Sequence, residues 1–113
     1  MDELLVQIDR FVDDHQPGFV ECSLVDAYGV KYIFVEKIPI VTVESLGKDS
    51  SYPRPGAIGC QVERRWSTSD GRSLVEVSTA VPWGIESTSG ETRFVVHAFQ
   101  LRKARAGKRL ARP

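Results

Sequence analysis

A chain of 113 residues with 42% apolar and 27% charged side chains has the composition of a single globular domain, which excludes fibrous, low-complexity and disulfide-rich classes. No apolar run approaches the ~20 residues of a helical membrane span, and no basic-then-apolar leader precedes the first element, so a cytoplasmic protein without a membrane partner is expected. The formal net charge of zero hides an asymmetry: residues 1–101 carry nine basic groups against fifteen acidic ones, a net charge of −6, and the basic tail RKARAGKRLARP follows.

Residues 1–14 fit two patterns. Leu4, Leu5, Ile8, Phe11 and Val12 make a helical face, while Leu4, Val6 and Ile8 alternate as a strand does. Asp9, Asp13 and Asp14 would sit in the second half of the helix, where the macrodipole disfavours acids, and this favours the strand. Gln16-Pro17-Gly18-Phe19 reads as a type II turn with Pro second and Gly third. The stretch from Gly18 to Val41 then reads as the hairpin around which the chain is organised. Phe19–Val25 and Val30–Ile38 are rich in β-branched and aromatic residues. Asp26-Ala27-Tyr28-Gly29 between them has Asp at the first position of a type I turn and Gly for the positive φ of a bulge. That turn pairs Leu24 with Tyr32 and Cys22 with Phe34. It leaves Ile33 and Val35 on an outer face that is not cleanly polar, so part of that face is expected to be covered.

Pro39 marks an edge or bend, with Val41–Val43 as a continuation of the strand. Residues 44–56 hold two prolines, two glycines and three serines and read as irregular. From Ala57 to Ser67 the alternation resumes, with Ile58, Cys60, Val62 and Trp66 inward and Arg64 breaking the row. Asp70-Gly71 is a hairpin signal. A two-residue turn there sets Val62 opposite Thr79, Trp66 opposite Val75 and Arg65 opposite Glu76, with Leu74–Val81 returning. Pro82-Trp83-Gly84-Ile85-Glu86-Ser87 interrupts, Thr88-Ser89-Gly90 turns, and Thr92–Leu101 is apolar on both faces, hence a central or enclosed last strand.

These elements predict an all-β domain over residues 1–101, a small antiparallel meander of five or six strands curled into a barrel or sandwich, with residues 102–113 as a disordered basic tail that can be removed without unfolding the domain. The alternative is an α+β fold with an N-terminal helix on the sheet. The segments FVDD (Phe11–Asp14), Pro17-Gly18, VDAYG (Val25–Gly29), EKIP (Glu36–Pro39), YPRPG (Tyr52–Gly56) and PWGIES (Pro82–Ser87) resemble those of small, uncharacterised bacterial proteins. The resemblance covers most of the chain except the tail and implies no activity, cofactor or catalytic residue.

Few residues suggest chemistry. Cys22 and Cys60 fall on core faces and read as free buried thiols, with a disulfide between them as the alternative. His97 shares a strand face with Val95 and Phe99. A Cys-His pair with either thiol is conceivable in a closed barrel, but a packed histidine is the favoured reading. Asp13, Asp14 and His15 are adjacent, with no second ligand set at a metal-site spacing, so no metal is expected. GxGxxG, GxxxxGK[ST] and Gly-x-Ser-x-Gly are absent, and neither cofactor nor catalytic residue is assigned. The binding candidates are Trp83 and Tyr52, large aromatics beside proline in loop segments, expected to lie at one end of the domain; the bland alternative is that both seal the core. The favoured function is a non-enzymatic protein-interaction or accessory domain, binding another protein or itself. An immunity-type inhibitor with an acidic face, a nucleic-acid-binding barrel using the tail, and a Cys/His enzyme are the alternatives.

Overall fold

The computed structural model describes residues 1–104. They form one antiparallel sheet from β1 (Asp2–Asp13), β2 (Phe19–Val25), β3 (Lys31–Lys37), β4 (Arg54–Ser67), β5 (Ser73–Ser78), β6 (Arg93–His97) and β7 (Leu101–Lys103). The order is β3-β2-β1-β4-β5-β6, with β7 pairing β1. The segment 1–14 is therefore a strand. Leu4, Val6 and Ile8 are buried in alternation, and the ladders to β2, β4 and β7 satisfy a backbone that its acids would have destabilised as a helix.

This makes β1, not the hairpin 18–41, the element on which the rest is organised. The β2–β3 hairpin lies at one end of the sheet and β6 at the other. The sheet curls until these ends approach without pairing: Ala27 N–H in the β2–β3 turn donates to Val95 of β6, and Thr88 N–H donates to Ile33 of β3. Phe94 of β6 packs edge-on against Tyr32 and Phe34, with centroids 4.9 and 5.7 Å apart. The product is a half-barrel filled by Leu4, Ile8, Val20, Cys22, Ile58 and Val77.

The β2–β3 hairpin has the expected register, Cys22 opposite Phe34 and Leu24 opposite Tyr32. Asp26 Oδ1 accepts the N–H groups of Tyr28 and Val30, and Gly29 takes φ 83°. Elsewhere the structure corrects the sequence. The first turn runs His15–Gly18, closed by Gly18 N–H to His15 O, so Pro17 is its third residue rather than its second. After β3 the chain makes one helical turn, α1 (Ile38–Val41), instead of extending the strand; Pro39 lies in its first turn, where no donor is missed, and Ile38, Ile40 and Val41 are buried.

The β4–β5 register also differs. Gly71 has φ 87°, as a positive-φ turn glycine should, but the loop has three residues between Thr68 and Arg72 rather than two. That sets Trp66 opposite Leu74 and Arg65 opposite Val75. A bulge between Val62 and Arg64 then places Val62 opposite Val77 and Arg64 opposite Glu76. Trp66 thus lies on the face of Leu74 and Glu76, away from the core face of Val75 and Val77, with Arg64 stacked over its ring at 4.3 Å.

The last expected strand, Thr92–Leu101, is split. β6 ends at His97, a 3-10 turn follows over Ala98–Gln100, and β7 continues beside the N-terminal half of β1. The boundary expected between 101 and 102 falls inside β7. Arg102 pairs with the buried Glu3 carboxylate at 3.0 Å and Lys103 with Asp2 at 3.1 Å. The remainder of the tail, 105–113, lies outside the described residues.

Candidate functional site

Neither expected binding residue stands free. Tyr52 is half-buried against the core, and its hydroxyl donates to Gly47 O at 2.8 Å. Trp83 is also half-buried and lies over Gly59, where a Cβ would come within 3.0 Å of its Nε1. Gly59 pairs with Glu3, so the ring covers the sheet face that holds the buried carboxylate. The two aromatics are not brought to one end. Tyr52 precedes Arg54 at the start of β4, and Gly59 lies five residues further on, about 16 Å along a strand.

The thiols are no better placed for catalysis. Both are free and buried, and loss of solvation pushes each up to about 12, with Asp9 adding to it at Cys22 and Asp2 at Cys60. A nucleophilic cysteine needs the opposite environment. His97 is opposite Leu74, on the outer face of β6, whereas Phe94 and Val96 face the core that holds both thiols. No Cys-His pair forms.

Asp13, Asp14 and His15 bring ligand atoms within 4.8 Å of one another in the exposed first turn. His15 Nδ1 bonds Asp13 Oδ1 at 2.7 Å; that bond raises the His15 pKa, and with the His15 N–H it lowers that of Asp13. This is a self-satisfied surface pair. Ser87 and Ser89 are likewise satisfied locally, by Glu91, in the turn closed from Gly90 N–H to Ser87 O.

What sequence reasoning missed is the end of the molecule where the β2–β3 turn meets the 3-10 turn. Val25, Tyr28, Val30 and Phe99 are exposed there, Tyr28 by 62% and Phe99 by 77%. None of them is loose. The Asp26 carboxylate fixes the Tyr28 turn. Phe99 stacks on His97, with centroids 4.9 Å apart and planes 6° from parallel. Gln100 locks the 3-10 turn from both sides: its Oε1 accepts His97 N–H at 2.8 Å, and its Nε2 donates to Val25 O at 2.9 Å. Between this turn and the outer face of β1–β3 lies an open groove of about 490 Å³, lined by Leu5, Gln7, Ser23, Val25, Lys31 and Phe99. It occupies the outer face that the hairpin's apolar Ile33 and Val35 had marked as incompletely polar. The signal available in sequence was a tyrosine inside the Asp26–Gly29 turn and a Phe-Gln pair after a histidine.

No family model, curated protein or solved structure matches this chain.

Proposed function

We propose that the chain is a non-enzymatic protein-interaction domain that docks its partner on the end formed by the β2–β3 turn and the 3-10 turn. The observation that carries this reading is the exposure of Val25, Tyr28, Val30 and Phe99 on two turns joined by the Gln100 Nε2–Val25 O bond, each on backbone fixed by side-chain hydrogen bonds. Apolar side chains gathered at one place on a surface mark contact sites, whereas scattered ones do not. Preorganised aromatic rings lose little entropy when they are buried by a partner. The buried thiols, with pKa values pushed to about 12, and the outward His97 support a role without covalent chemistry.

Photo-crosslinking tests the reading. Benzoylphenylalanine replaces Tyr28, Phe99 or, as control, Val43, which is 70% exposed beside α1. Protein adducts are expected from positions 28 and 99 and not from 43; an adduct of twice the chain mass identifies a second copy as the partner. Equal adducts at all three positions, or none, would overturn the proposal.

A further inference from the structure

We infer that the groove beside Phe99 selects a carboxylate next to an apolar side chain, so that the partner presents an extended acidic segment; this rests on the interaction reading above. The groove has three parts. Its walls combine apolar Leu5, Val25 and Phe99 with the amide side chains of Gln7 and Gln100. Its floor holds Ser23, only 8% exposed, whose hydroxyl bonds no protein group among the described residues. That hydroxyl opens into the groove rather than being sealed in the core, so a carboxylate oxygen entering the groove would accept its proton. At the mouth stands Lys31, which forms no ion pair among the described residues and is the single charge in the lining. Lys31 pairs with Val25, two residues along β2 from Ser23. The two side chains are therefore diagonal neighbours, with Cβ atoms about 7–8 Å apart, a span that one carboxylate bridges with the lysine's reach.

An extended polypeptide suits this groove better than a compact solute. The groove is open, and it reaches β3 at Lys31, the first residue of that strand. Along the outer edge of that strand, Thr88 N–H engages the Ile33 carbonyl, and no other backbone partner is present among the described residues. Edge groups next to a side-chain pocket are the two requirements for docking an extended segment.

A random linear peptide display library selected on the full chain tests this. The wild type should enrich peptides with Asp or Glu adjacent to an aliphatic or aromatic residue. Lys31→Glu should lose the acidic preference, and Phe99→Ser should enrich nothing. A selected peptide should shift the amide resonances of Ser23, Lys31 and Phe99. Ser23→Ala should weaken it about tenfold, the loss expected of a hydrogen bond to a charged group, with amide dispersion confirming the fold. Enriched peptides without acids, equal selection by Lys31→Glu, or shifts elsewhere would overturn the inference. If a neutral motif emerges while the adduct at position 99 persists, the interaction reading stands and the acidic partner falls. Loss of the adduct as well removes both.

Discussion

Three side-chain environments make predictions that do not depend on one another. Gly71 holds φ 87° with nothing within 4 Å of the point where a Cβ would stand, so any cost of substitution there is backbone strain rather than crowding. Gly71→Val should lower stability by about 1–2 kcal/mol in urea unfolding. Trp83 is the opposite case, a ring packed on Gly59 and the core. Trp83→Ala should cost about 2–3 kcal/mol, less than a fully buried ring because one side of it meets solvent. An unchanged melting temperature would instead make Trp83 an exposed anchor. The buried thiols give a pH dependence. Folding keeps Cys22 and Cys60 protonated to about pH 12, whereas an unfolded thiol ionises near 8.5. Unfolding above pH 8.5 therefore releases protons. The thiol contribution to stability is complete below that pH and is lost as pH climbs toward 12. The decline of the urea midpoint between pH 9 and 11 should be shallower in Cys22→Ala/Cys60→Ala than in the wild type.

At the scale of elements, the contrast between two hairpins explains what sequence could and could not reveal. In β2–β3, Asp26 and Gly29 both specify the same turn, and period-two alternation then fixes every pair. In β4–β5, Asp70-Gly71 suits a two-residue and a three-residue loop alike, and choosing the wrong one moves each side chain to the other face. The bulge near Glu63 shifts the register again, and Arg64, read as a break in the row, was its only trace. The candidate site was hidden for a related reason. The apolar run through Phe99 reads as continuous strand, and it is the Gln100 side chain, bonded back to His97 N–H, that supports the 3-10 turn and exposes Phe99. The C-terminal strand yields the sharpest test at this scale. Cutting after Ala104 keeps the Arg102–Glu3 and Lys103–Asp2 pairs and should leave stability unchanged. Cutting after Leu101 takes the arginine from a carboxylate that is 1% exposed, and should cost about 2–4 kcal/mol, scaled down from a fully buried pair because Arg102 itself is half-exposed. Equal melting temperatures for the two truncations would mean that β7 contributes nothing to the fold.

For the molecule as a whole, the half-barrel has one strand that cannot be lost. β1 carries β4 along one edge and shares the other between β2 and β7. Without it the sheet separates into the β2–β3 hairpin and the β4–β6 meander, tied among the described residues by two backbone bonds, Ala27 to Val95 and Thr88 to Ile33, by the Arg72 guanidinium donating to Ala27 O, by the contacts of Phe94 and by α1 packed on β4. A two-stranded hairpin is barely stable alone in water. The β1–β4 ladder joins residues about 50 apart in sequence, so its loop-closure entropy must be offset by core burial at Leu4, Ile8 and Ile58. Local opening is then cheapest at the sheet ends and most costly at β1. Native-state hydrogen exchange should show the hydrogen-bonded amides of Leu4–Ile8 opening only with global unfolding, with a denaturant dependence equal to the equilibrium m-value. The outer-edge amides of β3 should exchange at least tenfold faster through local opening that denaturant scarcely affects. Should the β2–β3 amides prove the slowest, that hairpin is the stable nucleus and β1 merely docks onto it. In the expected result, the end bearing Tyr28, Val30 and Phe99 opens locally while β1 stays closed, so a bound partner should slow exchange in the β2–β3 turn and leave the Leu4–Ile8 amides tracking global stability.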